Sequence, residues 1–331
     1  MKVLYVIACV VLVILVTAIL YTQIRVEEDV QNLRVTVFAN AGHAAPIIGM
    51  ERGIFAKEIT DTIIDLKIFD SGPQAIESLF SGSSDIAYVG PGPAINGFLR
   101  SDGEIIILGG AASGGASFVA HPNSDIDSIK SLDGKRVATP QIANTQDVSL
   151  RHHLNENDLV TVERGGTVYV INVPNPDIYV LFSKGDIDAA WVPEPWATLL
   201  VNKLDGIRIF EEKDVWDNGE FASVLLVART KYTEQHPQII QEWLNAHAKS
   251  VAWINSNPKE SVDILHKFIK RELGASFERE IIAESLSRIV ITSDPISSSV
   301  EEFASMAHAL GYLGRGEYSL DGLYYGMEDS R

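Results

Sequence analysis

Residues 65–93 read DLKIFDSGPQAIESLFSGSSDIAYVGPGP. Asp65-Leu-Lys-Ile-Phe69 predicts a strand, Gln74 to Phe80 a helix, and Asp85-Ile-Ala-Tyr-Val89 a second strand that runs into Gly90-Pro91-Gly92-Pro93. A helix between two strands is the connection that parallel strands need. Working outward, Arg34-Val-Thr-Val-Phe38 alternates as an earlier strand, and Ala44 to Lys57 reads as a helix ending near the Gly53 turn. After the quoted stretch come a helix over 94–99 and the strand Glu104-Ile-Ile-Ile-Leu108. The order β-α-β-α-β-α-β predicts a mostly parallel sheet covered by helices.

The middle of the chain repeats this logic. Strands are predicted at 136–139, 167–173, 188–192 and 206–210, with helices near 146–155 and 179–184. Phe221 to Ala228 reads as a strand able to return to the first sheet. The last hundred residues turn helical: Ile240, Trp243, Leu244, His247, Val251 and Ile254 recur at helical spacing, and Asn257-Pro258 stops that helix. Further helices fit 277–288 and 300–310, and Trp243 and Trp253 read as core.

The chain has 331 residues, 46% hydrophobic and 21% charged, with 27 basic against 44 acidic residues and a net charge of −17. This is a globular composition of about two domains. Such acidity argues against a nucleic-acid partner, which needs a basic surface, but leaves room for a small anion because pocket charge is local. The single cysteine, Cys9, excludes an intrachain disulfide and a cysteine-based zinc site.

Val3 to Tyr21 carries no charge. As a helix it would be roughly 28 Å long, about one bilayer core. It is expected to be a single-pass membrane anchor (3–21), followed by an acidic linker (22–32), with the body on the extracytoplasmic side. Val6-Ile7-Ala8-Cys9 has the look of a lipidation box, but the apolar run before it is short and the run after it stays apolar, so an uncleaved helix is the preferred reading.

Four blocks carry a family resemblance. Gly49-x3-Gly53-Ile-Phe-Ala-Lys-Glu58, Ser81-Gly-Ser-Ser-Asp85-Ile-Ala, the segment Asp127 to Ala138 (DSIKSLDGKRVA) and Lys184-Gly-Asp-Ile-Asp-Ala189 followed by Pro193-Glu194-Pro195 occur in one order. Together they resemble the nitrate/sulfonate/taurine/bicarbonate class of ABC transporter solute-binding proteins, which also includes thiamine-precursor binders. The resemblance implies an α/β, two-lobed type II periplasmic-binding-protein fold with a helical C-terminal region. Lobe one is expected at 33–118 plus 223–331 and lobe two at 119–222, with hinges near Phe118–His121 and Phe221–Ser223. It also implies a monomer that binds a small solute, needs no cofactor, and works with an ABC permease and a separate ATPase. The chain has no P-loop of its own.

In open α/β sheets ligands bind beyond the C-terminal strand ends. That rule selects Asn40 and His43 after the first strand, Gly90 after the third, and Ser113, Gly114 and Gly115 after the fourth. In lobe two it selects Thr139, Gln141, Asn144 and Thr145, and then Glu194 and Trp196. These loops hold no Lys or Arg, so an anion would rely on helix N-termini, hydroxyls and His43, and an inward Glu194 would oppose it. Phe38, Trp191 and Trp196 offer rings on which a pyrimidine could stack. His152 and His153 sit on adjacent helix positions, which do not share a face, so no metal site is expected. An enzyme of the same fold is the rival class. Its cysteine-rich iron version finds no cysteine in the body, and Ala111-Ala-Ser113-Gly-Gly115 lacks the first glycine of a nucleophile elbow.

Overall fold

The computed structural model describes residues 31–274, 276–314 and 316–326. The expected anchor, with Cys9, lies outside the described residues, as does the linker up to residue 30. Among the described residues no helix is long and apolar enough to cross a membrane.

Eleven strands are described: β1 (Gln31–Phe38), β2 (Thr62–Phe69), β3 (Ile86–Val89), β4 (Ile105–Gly114), β5 (Ala116–Ala120), β6 (Arg136–Thr139), β7 (Tyr169–Asn172), β8 (Ala189–Pro193), β9 (Ile207–Glu211), β10 (Ala222–Arg229) and β11 (Ile289–Ile291). They form a six-stranded sheet ordered β11-β4-β10-β3-β1-β2 and a five-stranded sheet ordered β7-β6-β8-β5-β9. The two sheets, each with its helices, are the two lobes.

Both sheets are mixed, which corrects the mostly parallel expectation. β1 runs parallel to β2 and β3, but β10 returns from lobe two and inserts antiparallel between β3 and β4. In the second sheet β6 is parallel to β7 and β8, while β5 is antiparallel to β8 and β9. A strand that arrives from the other lobe enters its sheet from the opposite end, so its direction reverses.

β3 is wholly buried, all four residues at 0% exposure, as expected of a central strand covered on both faces. On the helical side, Trp243 of the helix Pro237–Ser256 is fully buried and packs 4.2 Å, centroid to centroid, from Phe55. The Asp85 of the Gly-x-x-Asp-Ile-Ala block is structural. It is fully buried, takes the Arg34 guanidinium at 2.8 and 2.7 Å and the Arg34 N–H at 3.0 Å, and also pairs with Arg229. It thereby ties β1 and β10 to the start of β3.

The chain leaves the first sheet at Gly114 and enters the second at Ala116, ahead of the expected hinge at Phe118–His121. Phe118 and Val119 are ladder-paired on both sides within β5. Gly114 and Gly115 both have positive φ, 77° and 82°, and a Cβ on Gly115 would lie 2.4 Å from Ile289. Only glycine satisfies both demands at this crossover. The second crossover occupies 212–221, between β9 and β10.

Candidate functional site

The strand ends of both lobes face a cleft of about 290 Å³, at the small end of ligand-pocket volumes. Asn40, His43, Gly90, Gly114 and Gly115 line it from lobe one, and Gln141, Asn144, Thr145, Glu194 and Trp196 from lobe two. Ser113 and Thr139 do not line it. Ser113 Oγ is turned to the second crossover, where it accepts the Phe221 N–H at 3.3 Å. Thr139 is fully buried at the end of β6, where its Oγ1 accepts from Asn172 Nδ2 at 2.6 Å. Trp191 is likewise no ring for a ligand: it is fully buried in β8, edge-on to Phe118, and donates its Nε1–H to Glu212 at 3.2 Å. Phe38 and Trp196 remain in the wall.

The rule that selects these loops also covers two stretches absent from the expected set. Asp70, Ser71 and Gln74 follow β2, and Pro174-Asn175-Pro176 follows β7; all line the cleft. Ser71 Oγ, Gln141 Oε1 and Asn175 Oδ1 are buried atoms with no hydrogen-bond partner among the described residues. Native proteins rarely leave such atoms unmatched, except where a ligand or water takes them up.

Helix starts converge on this space. Gly72–Phe80 and Pro91–Arg100 in lobe one, and Thr145–Glu156, Asn175–Lys184 and Trp196–Leu204 in lobe two, each place first-turn or capping residues in the wall. The first N–H groups of a helix lack intrahelical partners and carry the positive end of its dipole. Asn144 caps the helix Thr145–Glu156 by accepting the Asp147 N–H at 2.9 Å. Thr145 and Gln146, whose N–H groups precede that bond, line the cleft.

Among the described residues no Lys or Arg lines the cleft; its ionisable residues are His43, Asp70 and Glu194. His43 accepts the Phe38 N–H on Nδ1 at 3.1 Å, so a neutral ring carries its proton on Nε2 and presents a donor. Burial pushes its pKa down to about 3, keeping it neutral. Glu194 is fully buried and its carboxylate is fully engaged. Arg208 binds Oε1 at 3.0 Å, while the Thr198 N–H and Ser285 Oγ–H reach Oε2 at 2.9 and 3.2 Å. Its backbone joins both lobes as well, the N–H donating to Gly115 O at 2.8 Å and the C=O accepting from Ala41 N at 3.2 Å. Glu194 is therefore a bridge at the crossover whose charge is neutralised by Arg208.

The lobes meet closely on the other side. A Cβ on Gly90 would fall 2.4 Å from Thr145 Oγ1. Behind Thr145, the buried Asp147 accepts from Ala143 N at 2.9 Å, Arg151 Nε at 2.9 Å, Asn172 Nδ2 at 2.9 Å and, from lobe one, the Tyr312 hydroxyl at 2.8 Å. Asp147 thus fixes the loop before the helix, whose Ala143 has a φ of 59°, and ties that helix to lobe one. At the far end of the same helix, His152, His153 and Glu156 bring their ligand-capable atoms within 4.8 Å of one another. The expectation from adjacency missed Glu156, which lies four residues from one histidine and three from the other.

Comparison with known proteins agrees with this architecture. The chain is 28% identical over 221 residues to the taurine-binding periplasmic protein of Escherichia coli, covering 66% of this chain and 65% of that one. The alkanesulfonate-binding protein SsuA from Xanthomonas axonopodis pv. citri, solved bound to MOPS, superposes with a TM-score of 0.70 at 15% identity, over 86% of this chain and 94% of that one. The nitrate-binding protein NrtA from Synechocystis PCC 6803 superposes with a TM-score of 0.69 at 16% identity, over 86% and 82%. Residues 27–269 match the NMT1-like family, and with two mixed sheets around a ligand-sized cleft the chain belongs to that family.

Proposed function

We propose that this chain is the extracytoplasmic solute-binding subunit of an ABC importer and that its solute is a small sulfonate-type anion. The observation that carries the reading is the cleft wall. Several helix N-termini, a neutral His43 donor and the unmatched Ser71 hydroxyl converge there, with no lysine or arginine among the described residues. An anion held by neutral donors needs no buried countercharge, and neutral contacts suit a carrier that must release its cargo. The taurine-binding and alkanesulfonate-binding relatives point to the same ligand chemistry.

The protein binds its solute and does not transform it. Ser113, the one nucleophile with a motif-like setting, lies outside the cleft as a partner of the Phe221 N–H. In this reading Val3–Tyr21 tethers the body to the membrane as a single span, and a separate permease and ATPase complete the importer around one monomer.

A thermal-shift screen of the purified chain against taurine, longer alkanesulfonates, nitrate, bicarbonate and a hydroxymethylpyrimidine tests the reading. A sulfonate at 100 times its Kd should stabilise the fold by about 2.7 kcal/mol. Stabilisation by the pyrimidine alone, or product formation from any bound sulfonate, would overturn it. Protease added to intact cells should remove the body; full protection would refute the outward placement.

A further inference from the structure

We propose that His152, His153 and Glu156 form a binding site for a divalent transition-metal ion of the zinc class, separate from the solute cleft. All three lie in the C-terminal half of the helix Thr145–Glu156, whose first residues line the cleft. Neighbouring histidines on a helix point about 100° apart. Glu156 closes that gap, because it is four residues from His152 and three from His153, the two spacings that place side chains side by side. Its two oxygens reach one ring each: Oε1 is 3.5 Å from His152 Nε2, and Oε2 is 2.9 Å from His153 Nδ1.

The two glutamate contacts bracket the spacing that an ion imposes, and the whole set lies within 4.8 Å. A tetrahedral site with nitrogen and oxygen ligands at about 2.0–2.1 Å holds its ligand atoms roughly 3.4 Å apart. The His153 ring is held in place by its neighbours. It lies face to face with Trp191 at 5.9 Å and 8°, and Trp191 is itself fully buried and fixed by its bond to Glu212. The two histidine rings stand 5.2 Å apart at 69°. Glu156 is exposed and His152 half-buried, so solvent reaches the cluster and water can fill a fourth position. Two imidazoles with one carboxylate favour zinc, copper or nickel over calcium and magnesium, which prefer all-oxygen sets.

Calorimetric titration of the full-length chain with zinc chloride tests the site. One zinc ion per chain is expected, with no response to magnesium. His152→Ala and Glu156→Gln should each weaken binding by about tenfold or more. Glu156→Gln preserves shape, and metal-free melts will show whether either variant is misfolded. Copper gives a second readout, because an ion on His153 sits beside Trp191 and should quench its fluorescence, with the half-quenching concentration raised about tenfold or more in Glu156→Gln. Absence of stoichiometric zinc binding would overturn the proposal. So would equal binding by Glu156→Gln, which would show that Glu156 does not hold the ion.

Discussion

Replacing Gly90 by alanine should weaken solute binding through a clash that exists only across the cleft. Gly90 has φ −71° and ψ 166°, a conformation any residue adopts, so lobe one itself tolerates the methyl group. Across the cleft that methyl would lie 2.4 Å from Thr145 Oγ1, with its next neighbour, Ser223 O, at 3.7 Å. Thr145 is 4% exposed and has little room to turn away. Overpacking of this kind costs about 1–3 kcal/mol. At 1.4 kcal/mol per decade the affinity falls roughly 5- to 150-fold. Thr145→Ala alone removes the hydroxyl that we propose meets the solute, a neutral hydrogen bond worth about 0.5–1.5 kcal/mol, for a loss of up to about tenfold. It also deletes the atom that the new methyl strikes. The double-mutant cycle should therefore be strongly non-additive, with Gly90→Ala nearly silent in the Thr145→Ala background. Calorimetry with the best ligand from the screen gives the four affinities, and ligand-free melts separate binding from folding. Additive losses would refute the reasoning. So would a fall in ligand-free stability matching the loss of affinity, which would place the clash inside lobe one.

Three further changes follow from individual contacts. Tyr312→Phe removes the hydroxyl that lobe one gives to the Asp147 carboxylate; at about 1.5–3 kcal/mol for a bond to a charged group it should raise the solute off-rate about tenfold or more in stopped-flow release, and an unchanged rate would show that this bond does not hold the lobes together. Ser113→Ala should bind solute like the wild type while losing about 1 kcal/mol of stability, since it strands the Phe221 N–H. Burial pushes the Glu212 pKa up to about 7, above its ordinary value, against the pull of its bonds from Ser149 and Trp191. The folded state then holds that proton more tightly than the unfolded one. The resulting stability is complete below about pH 4 and drains away as pH rises to about 7. Glu212→Gln keeps the shape without the charge and should gain on the order of 3 kcal/mol over wild type between pH 5 and 8; a pH-independent difference in denaturant melts would contradict this.

The strands and long helices are legible in the sequence because their patterns are local. Arg34–Phe38, Asp85–Val89 and the Ile240–Ile254 periodicity each carry their own signal. Ile289–Ile291 does not: three residues are too few for periodicity, and they form a strand only because β4 offers an edge. Ten of the expected site residues line the cleft because strand ends determine which loops face it. Ser113 and Thr139 fail since alternation along a strand, rather than loop membership, decides where a side chain points. The fate of Glu194 is invisible locally, as its partners Arg208 and Ser285 lie 14 and 91 residues away.

The insertion of β10 between β3 and β4 also sets an order of assembly. All five strands of lobe two lie within 116–211, so that lobe is complete in itself as soon as this stretch of chain is available. Lobe one is not. Among the described residues β4 pairs with β10 and β11 and bridges Tyr324, all of them later in the chain, so β4 waits without a partner until residues 222–229 arrive. Loops of that length are slow to close, and the exposed edges meanwhile invite mispairing. A chain threaded across a membrane from its N-terminus would thus present the first half of lobe one longest in an unfinished state, with the inserted domain folding ahead of its host. Pulse-labelled hydrogen exchange should find β5, β6 and β8 protected before β3 and β4; the reverse order would mean that β1, β2 and β3 nucleate lobe one without β10.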